Sequence, residues 1–269
     1  MNYLVFAVLL WLAQPLPATA GGSIDTSAMA GADVIILGEV HDNPGHHAAQ
    51  AEIVTRLKPA ALVFEMLTAD QAAKVSDINR RDEAMLATDL AWDQTGWPDF
   101  SFYFPIIAAG RATRIYGAGL TRGAAREAVK QGVAGYFGAD ASRYGLDRPL
   151  AEAEQNDREG FQRAAHCDAL PDVMLPKMVA LQRLRDAYLA RAVVAALDET
   201  GGMVVVITGN GHARKDRGLA RYLQQARPGL RVFALGQSED GQIDGDFDQV
   251  VDYPATERAD PCLGFEAKE

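Results

Sequence analysis

Val34-Ile35-Ile36-Leu37-Gly38-Glu39-Val40-His41 is an apolar run closed by a glycine and, three residues later, a histidine. An unbroken β-branched and leucine run reads as a strand buried on both faces, the habit of inner strands in a parallel sheet. The pattern returns in the other half of the chain as Val204-Val205-Val206-Ile207-Thr208-Gly209-Asn210-Gly211-His212. The two strands are read as Asp33–Glu39 and Met203–Thr208. Ala61–Met66, Arg114–Ala118 and Arg231–Leu235 are further strand-like runs, with a short last one at Gln249–Asp252. Helical stretches separate most of them. Ala48–Leu57 carries Ile53, Val54 and Leu57 on one face before Pro59 ends it. Thr68-Ala69-Asp70-Gln71 has the form of a capping box, and Thr121 caps a helix that runs to Gln131 and stops at Gly132. This alternation predicts an α/β fold: a mostly parallel sheet flanked by helices, with right-handed crossovers.

Between the third and fourth sheet strands, from about Gly135 to Asp198, nothing reads as a strand. Asp172–Leu197 reads as one long helix with Met174, Met178, Leu181, Tyr188 and Ala192 at core-like spacing. A helical insertion over residues 135–198 is expected, serving either as a cap over the strand ends or as an outer packing layer.

The first twenty residues read as an address. Leu4 to Ala13 is apolar and Ala18-Thr19-Ala20 offers a cleavage point, as in a signal peptide. The run is shorter than the about 20 apolar residues a membrane helix needs. No cysteine follows it, so a lipid anchor there is not expected. Residues 21–269 then form one α/β domain, periplasmic or secreted. The net charge of −10 argues against nucleic acid as a partner, since phosphate binding rests on positive charge. Cys167 and Cys262 are the two cysteines. In an oxidising compartment they favour a disulfide closing a loop of about 95 residues. The alternative is a free pair with Cys167 beside His166.

Two of only five histidines thus follow parallel strands. The crevice at the carboxyl ends of such strands is where ligands bind. Glu39 and His41, two apart, share a side if the chain stays extended. Glu65, closing Leu62-Val63-Phe64-Glu65, is costly to bury unless it meets a cation, a metal or a donor. Glu39, Glu65, His41 and His212 together make a carboxylate–imidazole cluster, able to hold a metal or to act as general acids and bases. Arg214 and Lys215 add positive charge beside the glycine-rich turn. That turn has neither P-loop nor dinucleotide-binding spacing. The aromatic run Trp97–Pro105 includes Tyr103; a phenol in an apolar slot can ligate ferric haem, though packing is the commoner use of such residues.

With these stretches in view, the chain resembles the ChaN-like haem-binding family, in the superfamily of Tiki proteases and erythromycin esterases. The resemblance is carried by ILGEVHDNPGHH (36–47), VFEML (63–67), TGWPDFSFYFP (95–105), AHCDALP (165–171), MVALQRLRD (178–186), ITGNGHARKDRGLARYL (207–223) and DPC (260–262). It implies an exported haem-binding protein of haem and iron uptake, holding haem at the strand ends. It further implies two subunits paired around haem and an outer-membrane haem receptor system as a partner. By position, Tyr103 becomes the candidate iron ligand, with Tyr116, Tyr136 and Tyr144 as alternatives. His41 or His212 would lie near the iron, and Arg214 or Arg122 would face the propionates. The same superfamily implies an alternative, a peptidase or esterase using a divalent metal or His/Glu chemistry. There His41 serves as base or metal ligand, Glu39 and Glu65 orient or bind, and His212 completes the set. A serine nucleophile is not expected, because no G-x-S-x-G occurs.

Overall fold

The runs Val34–Glu39 (β1) and Val204–Gly209 (β4) are buried along their whole length. They pair in parallel, with Gly38 opposite Thr208 and Glu39 opposite Gly209. The two Gly-x-x-His segments therefore leave the sheet side by side. The computed structural model describes residues 24–111, 113–260 and 262–263, so the expected signal segment at 1–20 lies outside the described residues.

In chain order, β1 is followed by α1 (Pro44–Leu57), β2 (Ala61–Phe64), α2 (Ala69–Ala72), α3 (Glu83–Asp89), α4 (Phe100–Ala109) and β3 (Arg114–Gly117). Next come α5 (Arg122–Gln131), α6 (Val133–Phe137), α7 (Glu152–Ala165) and α8 (Leu175–Thr200). After β4 the chain forms α9 (Asn210–Ala213), α10 (Leu219–Ala226), β5 (Val232–Glu239) and β6 (Gln249–Tyr253). Among the described residues the six strands form one parallel sheet in the order β3-β2-β4-β1-β5-β6. The expected fold is thus observed, with every strand pair parallel. β5 runs four residues past the expected Leu235, because β6 pairs with it from Leu235 through Glu239. β2 stops at Phe64, two residues short of the expected end.

Side chains alternate across the sheet with the two-residue period of a strand. Val34, Ile36, Val204 and Val206 face one core with α8 and α10, whereas Ile35, Leu37, Val205 and Ile207 face the other with α1 and α4. From β1 the chain crosses toward β2, and from β4 it crosses toward β5 on the opposite side. Adjacent strands that depart in opposite directions leave a crevice at their carboxyl ends. That crevice lies between β1 and β4.

The caps form as the sequence predicts. Thr68 and Gln71 make the capping box of α2, and Thr121 caps α5. Asn43 caps α1, accepting a hydrogen bond from the Gly45 amide at 2.9 Å. The long helix departs from its expected register. A single 3-10 turn covers Asp172–Met174, and α8 then buries Leu175, Val179, Leu184 and most of Ala187–Leu197. Met178, Tyr188 and Ala192 are only half-buried. The cause is that the carboxyl half of α8 is enclosed by the sheet and by outer helices, so no single stripe describes it. Cys167 and Cys262 form the expected disulfide, with a Cα–Cα distance of 5.5 Å.

Candidate functional site

Gly38 stays within β1 rather than turning out of it. A Cβ there would run into the Asn210 side chain and approach Ala213 to 3.0 Å, so glycine is what lets α9 pack against the strand. Asn210 pairs its amide with the backbone of Gln237 on β5, at 2.7 and 3.1 Å. The second histidine segment is thereby fixed to the sheet before His212 is reached.

Glu39 is buried at the end of β1 and accepts three hydrogen bonds: from His41 Nδ1 at 2.8 Å, Gln50 Nε2 at 2.8 Å and the Tyr103 hydroxyl at 3.1 Å. With Nδ1 committed to Glu39, the other ring nitrogen of His41 carries no hydrogen bond among the described residues, and the side chain is 34 % exposed. Trp97 meets the His41 ring edge-on, with centroids 4.9 Å apart. Gly209 leaves room on the far side; a Cβ there would stand 2.9 Å from His41 Nε2. Burial works against a charge on His41, but Glu39 and Glu65 outweigh it and raise its pKa.

Glu65, also buried, accepts from Thr208 Oγ1 at 2.6 Å and from the Gly209 amide at 2.9 Å. His212 Nε2 lies 3.5 Å from its other oxygen, and His212 Nδ1 is 2.7 Å from Asp186 on α8. Burial alone would raise the Glu65 pKa, yet His212, His41 and these donors hold it down at about 2. Burial would likewise disfavour a charged His212, yet Glu65 and Asp186 raise its pKa to about 9. His212 is therefore an imidazolium clamped between two carboxylates at neutral pH. His46 and His47 serve the scaffold. The His46 ring accepts from the Val40 amide at 2.9 Å and burial lowers its pKa to about 4, whereas His47 donates to the His41 carbonyl at 2.9 Å.

Glu39, His41, Glu65 and His212 form the floor of a cavity of about 550 Å³. Its walls come from α7 (Arg158, Phe161, Gln162), from the amino half of α8 (Val179, Gln182, Arg185, Asp186) and from Trp97. The insertion is therefore both things the sequence left open: its middle part, α7 and the amino half of α8, walls the cavity, and the carboxyl half of α8 packs on the sheet. A second cavity of about 790 Å³ shares Glu65, Trp97 and Arg185 with the first.

The expected residues meet unevenly. Glu39, His41, Glu65 and His212 converge as expected. Among the described residues, however, no group of three or more His, Cys, Asp or Glu side chains is placed to hold a metal ion. Their donor atoms face one another and the backbone instead. Tyr103 is fully buried and off the cavity wall; burial and Glu39 push its ionisation far above the usual phenol value, so it remains a donor to Glu39. Tyr116, Tyr136 and Tyr144 are also absent from both walls, Tyr116 instead donating to Glu199 at 2.8 Å. Arg214 lines the first cavity, but Asp216 holds its guanidinium at 2.6 and 2.7 Å. Lys215 turns to Asp248, and Arg122 lines the second cavity. The sequence reading did not give Gln50 or Asp186 their roles. Gln50 is marked only as a polar side chain one turn before the buried Ile53 and Val54, and Asp186 only as the last residue of the run MVALQRLRD.

The family model described as haem-binding uptake, Tiki superfamily, ChaN matches residues 26–223. Among solved structures, ChaN of Campylobacter jejuni, described as binding haem cofacially, superposes with a TM-score of 0.65 at 22% identity, covering 85% of this chain and 90% of that one. An erythromycin esterase variant, EreC H289N, aligns over 80% of this chain and 72% of its own at 15% identity; its TM-score of 0.44 carries no weight. No curated protein matches the chain by sequence. With a parallel α/β fold shared with ChaN and a family match over most of its length, the chain belongs to the ChaN family of haem-binding uptake proteins in the Tiki superfamily.

Proposed function

We propose that this protein binds haem in haem or iron uptake, seating the porphyrin in the 550 Å³ cavity with His41 as the iron ligand. The observation that carries this reading is the state of His41. Its Nδ1 is held by Glu39, while its Nε2 has no hydrogen bond among the described residues and the residue borders the cavity. A carboxylate that fixes the tautomer and orientation of a ligating histidine is the usual outer-shell arrangement. Gln50 and Tyr103 in turn fix Glu39, so the phenol expected on the iron acts one step further back.

The cavity fits the ligand class. Its volume lies within the roughly 300–1,000 Å³ of small-molecule sites. Phe161, Val179 and Trp97 supply apolar wall, and arginines supply cationic edge. When bound, haem would supply an iron able to accept a nitrogen donor, and His41 would hold it. The chain contributes an oriented imidazole, an apolar slot and positive charge. Phe161 is 45% exposed beside the cavity, which supports pairing of two copies over the bound porphyrin. Export also belongs to this reading, with the Cys167–Cys262 bridge suited to an oxidising compartment and an outer-membrane receptor system as the source of haem.

The test is a hemin titration followed in the Soret region. The wild type should saturate, His41→Ala should lose the shifted band, and Tyr103→Phe should keep it with reduced affinity. A band that survives His41→Ala but vanishes in Tyr103→Phe would return iron ligation to the phenol. Sedimentation with and without hemin tests pairing, and cell fractionation with the mass of the mature chain tests export.

A further inference from the structure

Three of the four arginines that line the first cavity are already committed. Arg158 is bonded to Glu154 at 2.7 and 3.1 Å, and Arg214 is locked on Asp216. Arg217 pairs with Asp157 at 2.8 Å and lies over the Phe161 ring. Arg185 is different. Its side chain makes no hydrogen bond or ion pair among the described residues, is half-buried, and stands on the wall shared by both cavities. Gln182 lies three residues before it on α8, so the two share a helix face, and Gln182 also lines the cavity with no side-chain hydrogen bond among the described residues.

We propose that Arg185, assisted by Gln182, is the carboxylate anchor of this site and sets which way round the ligand lies. This rests on the haem reading and deepens it. A guanidinium presents paired N–H donors that match a carboxylate in a planar fork, and an adjacent amide adds a further donor. Haem is apolar over most of its outline and carries both carboxylates on one edge. That edge would lie at the junction of the two cavities, beside Arg185, and the apolar edge would lie toward Phe161 and Val179. Of the charges around Arg185, Asp186 and Glu65 both face His212, leaving the guanidinium free to act outward. The arginines expected to meet propionates, Arg214 and Arg122, are respectively held by Asp216 and placed on the second cavity alone.

The experiment compares affinities for hemin and for hemin dimethyl ester, which has no carboxylate to offer. Arg185→Gln should weaken hemin by roughly 10- to 100-fold, the range for a lost charged hydrogen bond. It should leave the ester within about 2-fold of its wild-type affinity, since a neutral ligand loses no charged contact. Arg185→Lys should recover part of the hemin affinity, keeping charge without the fork. Equal loss for both ligands would mean that Arg185 only balances the charge of the floor, and no loss for either would mean that it faces water; each overturns the inference. Ester binding by the variants also reports that the pocket is intact. Failure of the wild type to bind hemin at all would instead sink the haem reading, and this anchor with it.

Discussion

His41 depends on the absence of a side chain one strand away. Gly209 has ordinary extended backbone, so its value lies in space rather than in conformational freedom. Gly209→Ala would place a methyl group 2.9 Å from His41 Nε2. The ring can swing aside at modest cost, so stability should fall by roughly 1 kcal/mol, the low end for overpacking. Hemin affinity should fall far more, by over about 10-fold, because the methyl covers the free nitrogen. Urea denaturation and hemin titration separate the two effects, and unchanged affinity would remove Nε2 from the contact. Glu39, His41, Glu65 and His212 could be picked out from the sequence because each ends or follows a buried strand. The role of Tyr103 could not. A tyrosine in an aromatic run reads the same whether its hydroxyl meets iron or a carboxylate from a strand 64 residues earlier.

At the scale of elements, α7 is the least self-sufficient wall of the site. Arg158 and Gln162 are its only fully buried residues among those described, so it has little apolar surface to hold it in place. Ion pairs fasten it to α10 and to the loop before it, through Glu154 with Arg221 and Asp157 with Arg217. The disulfide fastens its carboxyl end to the tail. That tail leaves β6, passes the β1–α1 loop and the end of β5, where Arg258 binds Asp42 at 2.7 and 3.0 Å and Glu239 at 2.6 and 2.9 Å, and reaches Cys262. Removing the bridge by Cys167→Ser with Cys262→Ser should lower stability by about 2–4 kcal/mol. It should also weaken hemin binding, because Phe161 and Arg158 ride on α7. Denaturation with and without a thiol reductant reads the first effect. A midpoint indifferent to the bridge would show that α7 seats itself without it.

For the whole molecule, the clamp of His212 between Glu65 and Asp186 makes stability depend on pH. The His212 pKa is raised from 6.5 to about 9, so the folded state binds its proton more tightly than the unfolded chain does. That contribution is fully present below pH 6.5 and is lost as pH rises through 9. Glu65 is held near 2 against an ordinary 4.5, so its contribution is present above pH 4.5 and fades as pH falls toward 2. Both slopes draw on one shared contact. Urea midpoints should therefore fall between pH 6.5 and 9.5, and His212→Asn should flatten that alkaline slope. A wild-type profile that stays flat over this range would mean that the imidazole is neutral in the fold. The charge is balanced locally among Glu65 just past β2, Asp186 on α8 and His212 on α9.

The sequence by itself determined the parallel sheet, the two central strands, the caps and the convergence of two histidines on one rim. Those features follow from local pattern: unbroken apolar runs must be buried on both faces, and parallel strands send all their carboxyl ends the same way. The tertiary structure alone decided which side chains are spent and which are free. Tyr103 is used up on Glu39, Arg214 on Asp216 and His212 on Asp186, whereas His41 Nε2 and the Arg185 side chain have no hydrogen-bond partner among the described residues. Such pairings depend on how the helical insertion docks across the strand ends. Charge and hydrogen bonding act through space over a few ångströms, and spacing along the chain does not encode that distance.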